Sequence, residues 1–356
     1  MSARAAVAAM TAYTLELREA EVKLNQNESP YDFPLKAEAL ASIASRSWNL
    51  YPDFESTTLR TALAKAYGFA PEEILVGNGS NELLSAAVGA FVGPGTPVVF
   101  PRPTFALYEK LVAIAGGLPV PIDLDPATGL LPLDGMLRAL ESLDGAVAIV
   151  CSPNNPTGGV LPDGGIETLL ATGATVLFDR AYGDFAVNSF ATEELPPLHD
   201  RLVTFSTFSK AWGLAALRVG WLASTASNCR EIRKVKLPYS LNIVSETIAA
   251  MALENRGVLD QNVARTIAER ERVLAFMRGI PAIAVYPTRA NFIAFRTRAT
   301  FEDFLARGVL IRKTTLEGCL RVSIGTREQN DRFLTALAVI LSREDGEGSS
   351  ALESLT

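Results

Sequence analysis

Along this chain, short uninterrupted apolar runs alternate with stretches in which apolar residues recur every three or four positions. The runs Ile74–Val76, Pro97–Phe100, Ala146–Cys151, Thr175–Phe178, Leu202–Phe205 and Val219–Ala223 predict strands buried on both faces. Between the first two, NELLSAAVGAFV has the apolar spacing of a helix packed on one side. It follows Gly77-Asn78-Gly79-Ser80, read as a turn with Ser80 as the N-cap. Leu169 to Gly173 reads as a helix end before the next strand. Strands alternating with helices predict an α/β fold with a mostly parallel sheet flanked by helices. Residues 40–255 form this large domain.

A charged helix over Gln261–Arg278 then leads to a smaller α+β domain within 256–343. It is expected to run strand Asn291–Phe295, helix Phe301–Arg307, strand Val309–Arg312, strand Cys319–Ile324 and helix Glu328–Leu341. Residues 1–39 read as an N-terminal arm. Its Ala-rich opening, punctuated by Arg4, Glu16 and Arg18, is expected to be mobile, to lead into a helix and not to be a signal peptide. The acidic, Ser- and Gly-rich stretch 344–356 is expected to be a disordered tail.

Composition changes this picture little. At roughly 150 residues per domain, 356 residues predict two. The 33 basic and 39 acidic side chains give a net charge of −6, which draws the chain to neither nucleic acid nor an anionic membrane. No apolar window is long enough to span a membrane. Cys151, Cys229 and Cys319 lie far apart with no C-x-x-C, so no disulfide framework and no cysteine metal site is expected, and a reducing cytoplasm suits them. The one histidine decides more. His199 sits in the Pro-rich connection ELPPLHDRL and reads as structural, so a multi-histidine metal site is excluded. Acid–base work then falls to Lys, Tyr or a carboxylate.

In open α/β sheets ligands gather outside the carboxyl ends of the strands. The predicted strands run into GNGSNE, PRPTFALY, SPNNPTGG, DRAYGDF and STFSKAWGLAALRVGW, which read as one site assembled from five loops. Lys210 lies in a largely apolar stretch; buried, its ammonium would lose protons readily and become a nucleophile for an aldehyde, whereas in an open loop it would be an ordinary solvated lysine. Asp179 ends an uncharged strand and needs a partner there: a protonated pyridine nitrogen, a metal, or a helix start. Tyr182 is either a donor to a phenolate oxygen or a core tyrosine. Ser80 and Asn81 open a helix after two glycines, which suits a phosphate, and Ser209 and Arg218 would complete that anion site. GNGSNE has Glu82 where a dinucleotide fingerprint needs its third glycine, and Thr207 stands where S-x-x-K needs serine.

Taken in order, these five loops resemble the fold-type-I pyridoxal-phosphate (PLP) aminotransferases, and within them the histidinol-phosphate aminotransferases. LNQNESP (24–30), LYPDFES (50–56), ANFIAF (290–295) and CLRVSIGT (319–326) extend the likeness from about Lys23 to Leu341. The resemblance implies a Schiff base between Lys210 and PLP, with Lys210 also moving the proton at the substrate α-carbon. It implies that Asp179 pairs with the pyridine nitrogen, that Asn155 and Tyr182 bond the ring's phenolic oxygen, and that Phe105 stacks on the ring. Ser80, Asn81, Thr207, Ser209 and Arg218 would hold the phosphate, helped by Tyr51 from the second subunit of a homodimer. Arg321 would grip an amino-acid carboxylate and Arg312 the other end of a substrate. The amino donor would be L-histidinol phosphate and the acceptor 2-oxoglutarate, with no metal. An aromatic-amino-acid aminotransferase, a threonine-phosphate decarboxylase and a non-catalytic PLP-fold binding protein are the alternatives. Arg180, Trp212 and Ala216 depart from the family's usual Glu, Phe and Gly, and Arg180 would add a positive charge beside the site.

Overall fold

The computed structural model describes residues 2–12, 18–186 and 195–345. Its spine is a seven-stranded sheet made, in chain order, of β1 (Ile74–Asn78), β2 (Pro97–Arg102), β3 (Leu118–Asp123), β4 (Val147–Cys151), β5 (Thr175–Asp179), β6 (Leu202–Thr207) and β7 (Val219–Ala223). The spatial order is β1-β7-β6-β5-β4-β2-β3. All pairs are parallel except those of β7, which runs antiparallel to both β1 and β6. Every residue of β4 and β7 is buried, because helices cover both faces, and this is why those strands read as unbroken apolar runs.

The strand β3 is an element the apolar pattern did not reveal. Its sequence LPVPID carries two prolines and several half-exposed residues. Proline has no N–H to give a ladder, so it is tolerated only where one side of the strand stays open, and β3 is the sheet's edge. A second correction concerns the helix Ser80–Phe91. Its N-cap is Gly79, with φ 79°, and Ser80 is already the first helical residue. β7 packs closely against this helix start: a Cβ on Gly220 would lie 2.2 Å from the Ser80 nitrogen.

The helix Arg256–Arg278 starts five residues before the sequence reading placed it and carries the chain into the smaller unit. There β8 (Ala284–Val285), β9 (Phe292–Arg296), β10 (Arg312–Lys313) and β11 (Cys319–Ser323) form an antiparallel sheet in the order β10-β11-β9-β8. The expected single strand 309–312 is split. Val309–Leu310 pairs in parallel with Val22–Lys23, and only from Arg312 does the chain join β11. Phe295, Phe304 and Phe333 meet edge-on and stacked at 5.5–6.3 Å between centroids, the centre of this unit's core. Val22 and Leu24 are buried in that same core. The N-terminal segment thus holds one short helix, Ala5–Ala8, and leads into the strand Val22–Lys23, so that residues 22–24 are part of the packed structure. Residues 13–17 of the expected arm lie outside the described residues. So does 346–356 of the expected tail; Glu344 and Asp345 close the helix Arg327–Asp345.

The three cysteines are buried free thiols. Among the described residues no helix is long and apolar enough to cross a membrane.

Candidate active site

Because β1, β2, β4, β5 and β6 point the same way, the loops leaving them open onto one region. They enclose a cavity of about 300 Å³ with the facing edge of the smaller unit. Its lining holds Ser80 and Asn81 beyond β1, Phe105 beyond β2, Asn155 beyond β4, Asp179 and Tyr182 at the end of β5, and Thr207, Ser209 and Lys210 around the end of β6. Arg218 enters just before β7, and Arg312 and Arg321 close the cavity from β10 and β11. Tyr51 is the candidate that the chain does not bring there. It is 81% exposed and stacks on Tyr239 with ring centroids 4.7 Å apart, while Phe54 meets Tyr239 edge-on at 5.1 Å.

Lys210 is half-buried at the cavity wall. Its Nζ donates to the Gln26 carbonyl at 2.9 Å and lies 5.8 Å from the Tyr182 ring centroid. Burial, then the positive charges of Arg321 and Arg218, hold its ammonium down to a pKa of about 8. A substantial part of it is therefore neutral amine near physiological pH. Asp179 is buried, and desolvation pushes its carboxyl above the usual carboxylate range. The Tyr108 hydroxyl, donating to Oδ2 at 2.7 Å, and the Ala181 N–H, donating to Oδ1 at 2.9 Å, act the other way. Burial pushes the Tyr182 phenol up to about 12, against the pull of Arg321 and of an amide donated by Asn27.

The far end of the cavity is built for an anion. The first turn of Ser80–Phe91 faces it, and the helix dipole adds partial positive charge there. Arg218, with a left-handed φ of 57°, brings Nη1 to Ser209 Oγ and to the Ala215 carbonyl, both at 3.1 Å. Thr207 Oγ1 accepts from the Ser209 N–H at 3.1 Å, which orders the turn just before Lys210. Gly79 and Gly220 let the backbone come this close: a Cβ on Gly79 would sit 2.6 Å from the Arg218 guanidinium.

On the opposite wall, Arg321 is 7% exposed. It donates through Nη2 to the Asn25 carbonyl at 2.9 Å and through Nη1 to Asn155 Oδ1. The register sets Arg312 directly across from Arg321, on the same face of β10 and β11. Two guanidinium groups side by side repel unless an anion lies between or beside them, so this corner suits a carboxylate or phosphate.

Several contacts here were not singled out in the sequence. Asn25, Gln26 and Asn27 line the cavity, and Tyr108 holds Asp179 from outside it. The motif LNQNESP marked the first three only as part of a family likeness; nothing in its spacing showed that the arm returns to the site. His199 lies outside the lining, with Nδ1 accepting from the Arg201 N–H at 3.0 Å. Arg180 is also outside it: its guanidinium packs over Gly183, where a Cβ would stand 3.0 Å away.

An anion cradle at one end, a buried carboxylate wanting a cation at the other, and a lysine of depressed pKa between them match a phosphorylated pyridine aldehyde part for part. This constellation on this sheet defines a pyridoxal-phosphate-dependent transferase of fold type I. The chain matches the family model of aminotransferase class I and II over residues 19–337 and belongs to that family. It is similar to the histidinol-phosphate aminotransferases of Thermococcus gammatolerans (36% identical, covering 92% of this chain and 94% of the relative) and Aquifex aeolicus (35%, covering 92% and 95%). Among solved structures it resembles histidinol-phosphate aminotransferase from Sinorhizobium meliloti in complex with pyridoxal-5'-phosphate, with a TM-score of 0.81 and 25% identity over 92% of each chain.

Proposed function

We propose that this aminotransferase exchanges an amino group between L-histidinol phosphate and 2-oxoglutarate in histidine biosynthesis, in two half-reactions at one site. The likeness to histidinol-phosphate aminotransferases over nine-tenths of the chain carries this reading. The paired Arg312 and Arg321 support it, because both substrates bring anions to that corner. Arg321 serves the carboxylate of glutamate or 2-oxoglutarate, and Arg312 the phosphate of the other substrate.

When bound, PLP supplies an aldehyde for the amino group and a ring that accepts electron density from the substrate α-carbon. The chain's own residues do the rest. Lys210 would anchor the cofactor through Nζ and, once freed by substrate, would carry the proton from the substrate α-carbon to the cofactor carbon that bore the aldehyde, and back the other way in the second half-reaction, a task suited to an amine of pKa about 8. Asp179 holds the ring nitrogen's proton, and the bonds from Tyr108 and the Ala181 N–H favour its ionised form against the burial that opposes it. Asn155 and Tyr182 donate to the phenolic oxygen, and Phe105 covers one face of the ring. Ser80, Asn81, Thr207, Ser209 and Arg218 hold the phosphate.

In this reading the enzyme is a cytoplasmic homodimer. Residues 40–255 act as the cofactor domain, and 256–343 with the arm as the smaller one that bears the arginines. Tyr51 reaches the partner's phosphate site. Trp48, Leu50, Tyr51, Phe54 and Leu237, all more than half exposed, supply the apolar surface such an interface needs.

The test is an absorption spectrum of the purified protein loaded with PLP, before and after L-histidinol phosphate. Conversion of the visible band to that of the aminated cofactor is expected. A band unmoved by histidinol phosphate but converted by phenylalanine would assign an aromatic-amino-acid aminotransferase instead.

A further inference from the structure

The segment Asn25–Asn27 touches three groups of the cavity at once. Asn25 O accepts from Arg321, Gln26 O from Lys210, and Asn27 Nδ2 donates to Tyr182 Oη at 3.0 Å. Only Asn27 acts through its side chain. It is 1% exposed and has a φ of 55°, a left-handed conformation that asparagine tolerates better than most residues.

The bonds around Asn27 fix which way its amide faces. Its backbone N–H donates to Ser323 Oγ at 2.8 Å, and the Ser323 hydroxyl donates in turn to Asn27 Oδ1 at 3.1 Å. Asn291 Nδ2 holds the Asn27 carbonyl at 3.1 Å. With Oδ1 taken by Ser323, it is the NH₂ group that meets Tyr182. A phenol oxygen that accepts from an amide keeps its own proton for another partner. The Tyr182 ring is itself held edge-on against Phe292 at 5.0 Å.

We infer that Asn27 is a positioning residue: by donating to Tyr182 Oη it turns that hydroxyl's proton toward the cofactor's phenolic oxygen and away from the protein. The inference deepens the reading of Tyr182 given above and rests on it. It also ties two ends of the site together, because Ser323 lies two residues from Arg321 on β11. The amide therefore links the strand bearing the carboxylate-binding arginine to the tyrosine at the ring. The other ionisable groups acting on Tyr182 are Arg321, Asp179 and Cys151, with Lys210 over its ring face.

The test reads the pH midpoint of the visible band of the PLP-loaded enzyme without substrate. This midpoint reports how well the ring's oxyanion is stabilised, and a purely structural role would not move it. Tyr182→Phe is expected to raise it by about 1–2 pH units, the size of one hydrogen bond to a charged group. Asn27→Asp keeps the shape but accepts the Tyr182 proton, and is expected to raise the midpoint by a similar amount. Asn27→Gly suits the left-handed backbone and only removes the amide, for a rise of roughly half that. In the Tyr182→Phe background, Asn27→Asp is expected to add nothing. If Tyr182→Phe shifts the midpoint while Asn27→Asp and Asn27→Gly leave it unchanged, the positioning role is overturned. Full additivity of Asn27→Asp with Tyr182→Phe overturns it too, since the new charge would then act on the cofactor directly. A midpoint that Tyr182→Phe does not move at all rejects the underlying reading of Tyr182.

Discussion

Lys210 combines one hydrogen bond to a main-chain carbonyl, a surrounding of Arg321 and Arg218, and a place at the cavity wall. Those three facts suit it to the proposed roles of nucleophile and proton carrier. Lys210→Ala is expected to remove the visible band of the loaded enzyme and to lower turnover roughly 10⁴-fold, with an unchanged far-ultraviolet circular dichroism spectrum. Persistence of the band would reject Lys210 as the anchoring amine. The pH dependence follows from its depressed pKa of about 8. Below that value the amine is protonated and cannot attack an aldehyde; above it, the neutral form dominates. The rate at which cofactor-free enzyme takes up PLP is thus expected to rise about tenfold per pH unit below pH 8 and to level off above it. Stopped-flow absorbance distinguishes this from a lysine of ordinary pKa, whose rate would climb to beyond pH 10. Lys210 and Asp179 were legible as candidates because a charge in an apolar run asks for a reason. Tyr108 and Asn27 were not: a tyrosine in the first turn of a helix or an asparagine in an arm is ordinary until the chain folds back on it.

At the scale of elements, the phosphate end depends on how closely β7 approaches the first turn of the helix Ser80–Phe91. Gly220→Ala would put a Cβ 2.2 Å from the Ser80 nitrogen, and the obstacle is backbone, which does not swing aside. The variant is expected to lose about 1–3 kcal/mol of stability and to hold PLP more weakly, seen in the melting temperature and in equilibrium dialysis of the cofactor. Wild-type retention would mean that this contact does not shape the cradle. Strands buried on both faces were legible because parallel sheets covered by helices are apolar throughout. The edge strand β3 and the break at Ile311 were not. Two prolines hid the first, and the second arises because Val309–Leu310 pairs with a strand nearly three hundred residues earlier.

For the molecule as a whole, the cavity lacks Tyr51 within one chain, and the proposed dimer supplies it. Mixing Lys210→Ala with Tyr51→Ala subunits tests this by complementation. In a mixed dimer, one of the two sites carries both an intact lysine and an intact tyrosine. Random reassortment is expected to restore activity at about one site in four, whereas each parent alone is nearly inactive. No recovery on mixing, with subunit exchange verified by mass, would place Tyr51 outside the partner's site.

The sequence by itself determined the fold class and the five strand ends, and it singled out Lys210 and Asp179 as candidates, while family likeness supplied most of the other residues that line the cavity. Burial on two faces, helical spacing and a charge stranded among apolar residues are local patterns, written in consecutive residues. The tertiary structure alone decided that Asn25–Asn27 returns to the cavity, that Arg312 stands across from Arg321, that Tyr108 steadies Asp179, and that Arg180 packs by Gly183 outside the lining. Each of these joins segments far apart in the chain, and no local periodicity records which distant surfaces will meet when both cores close.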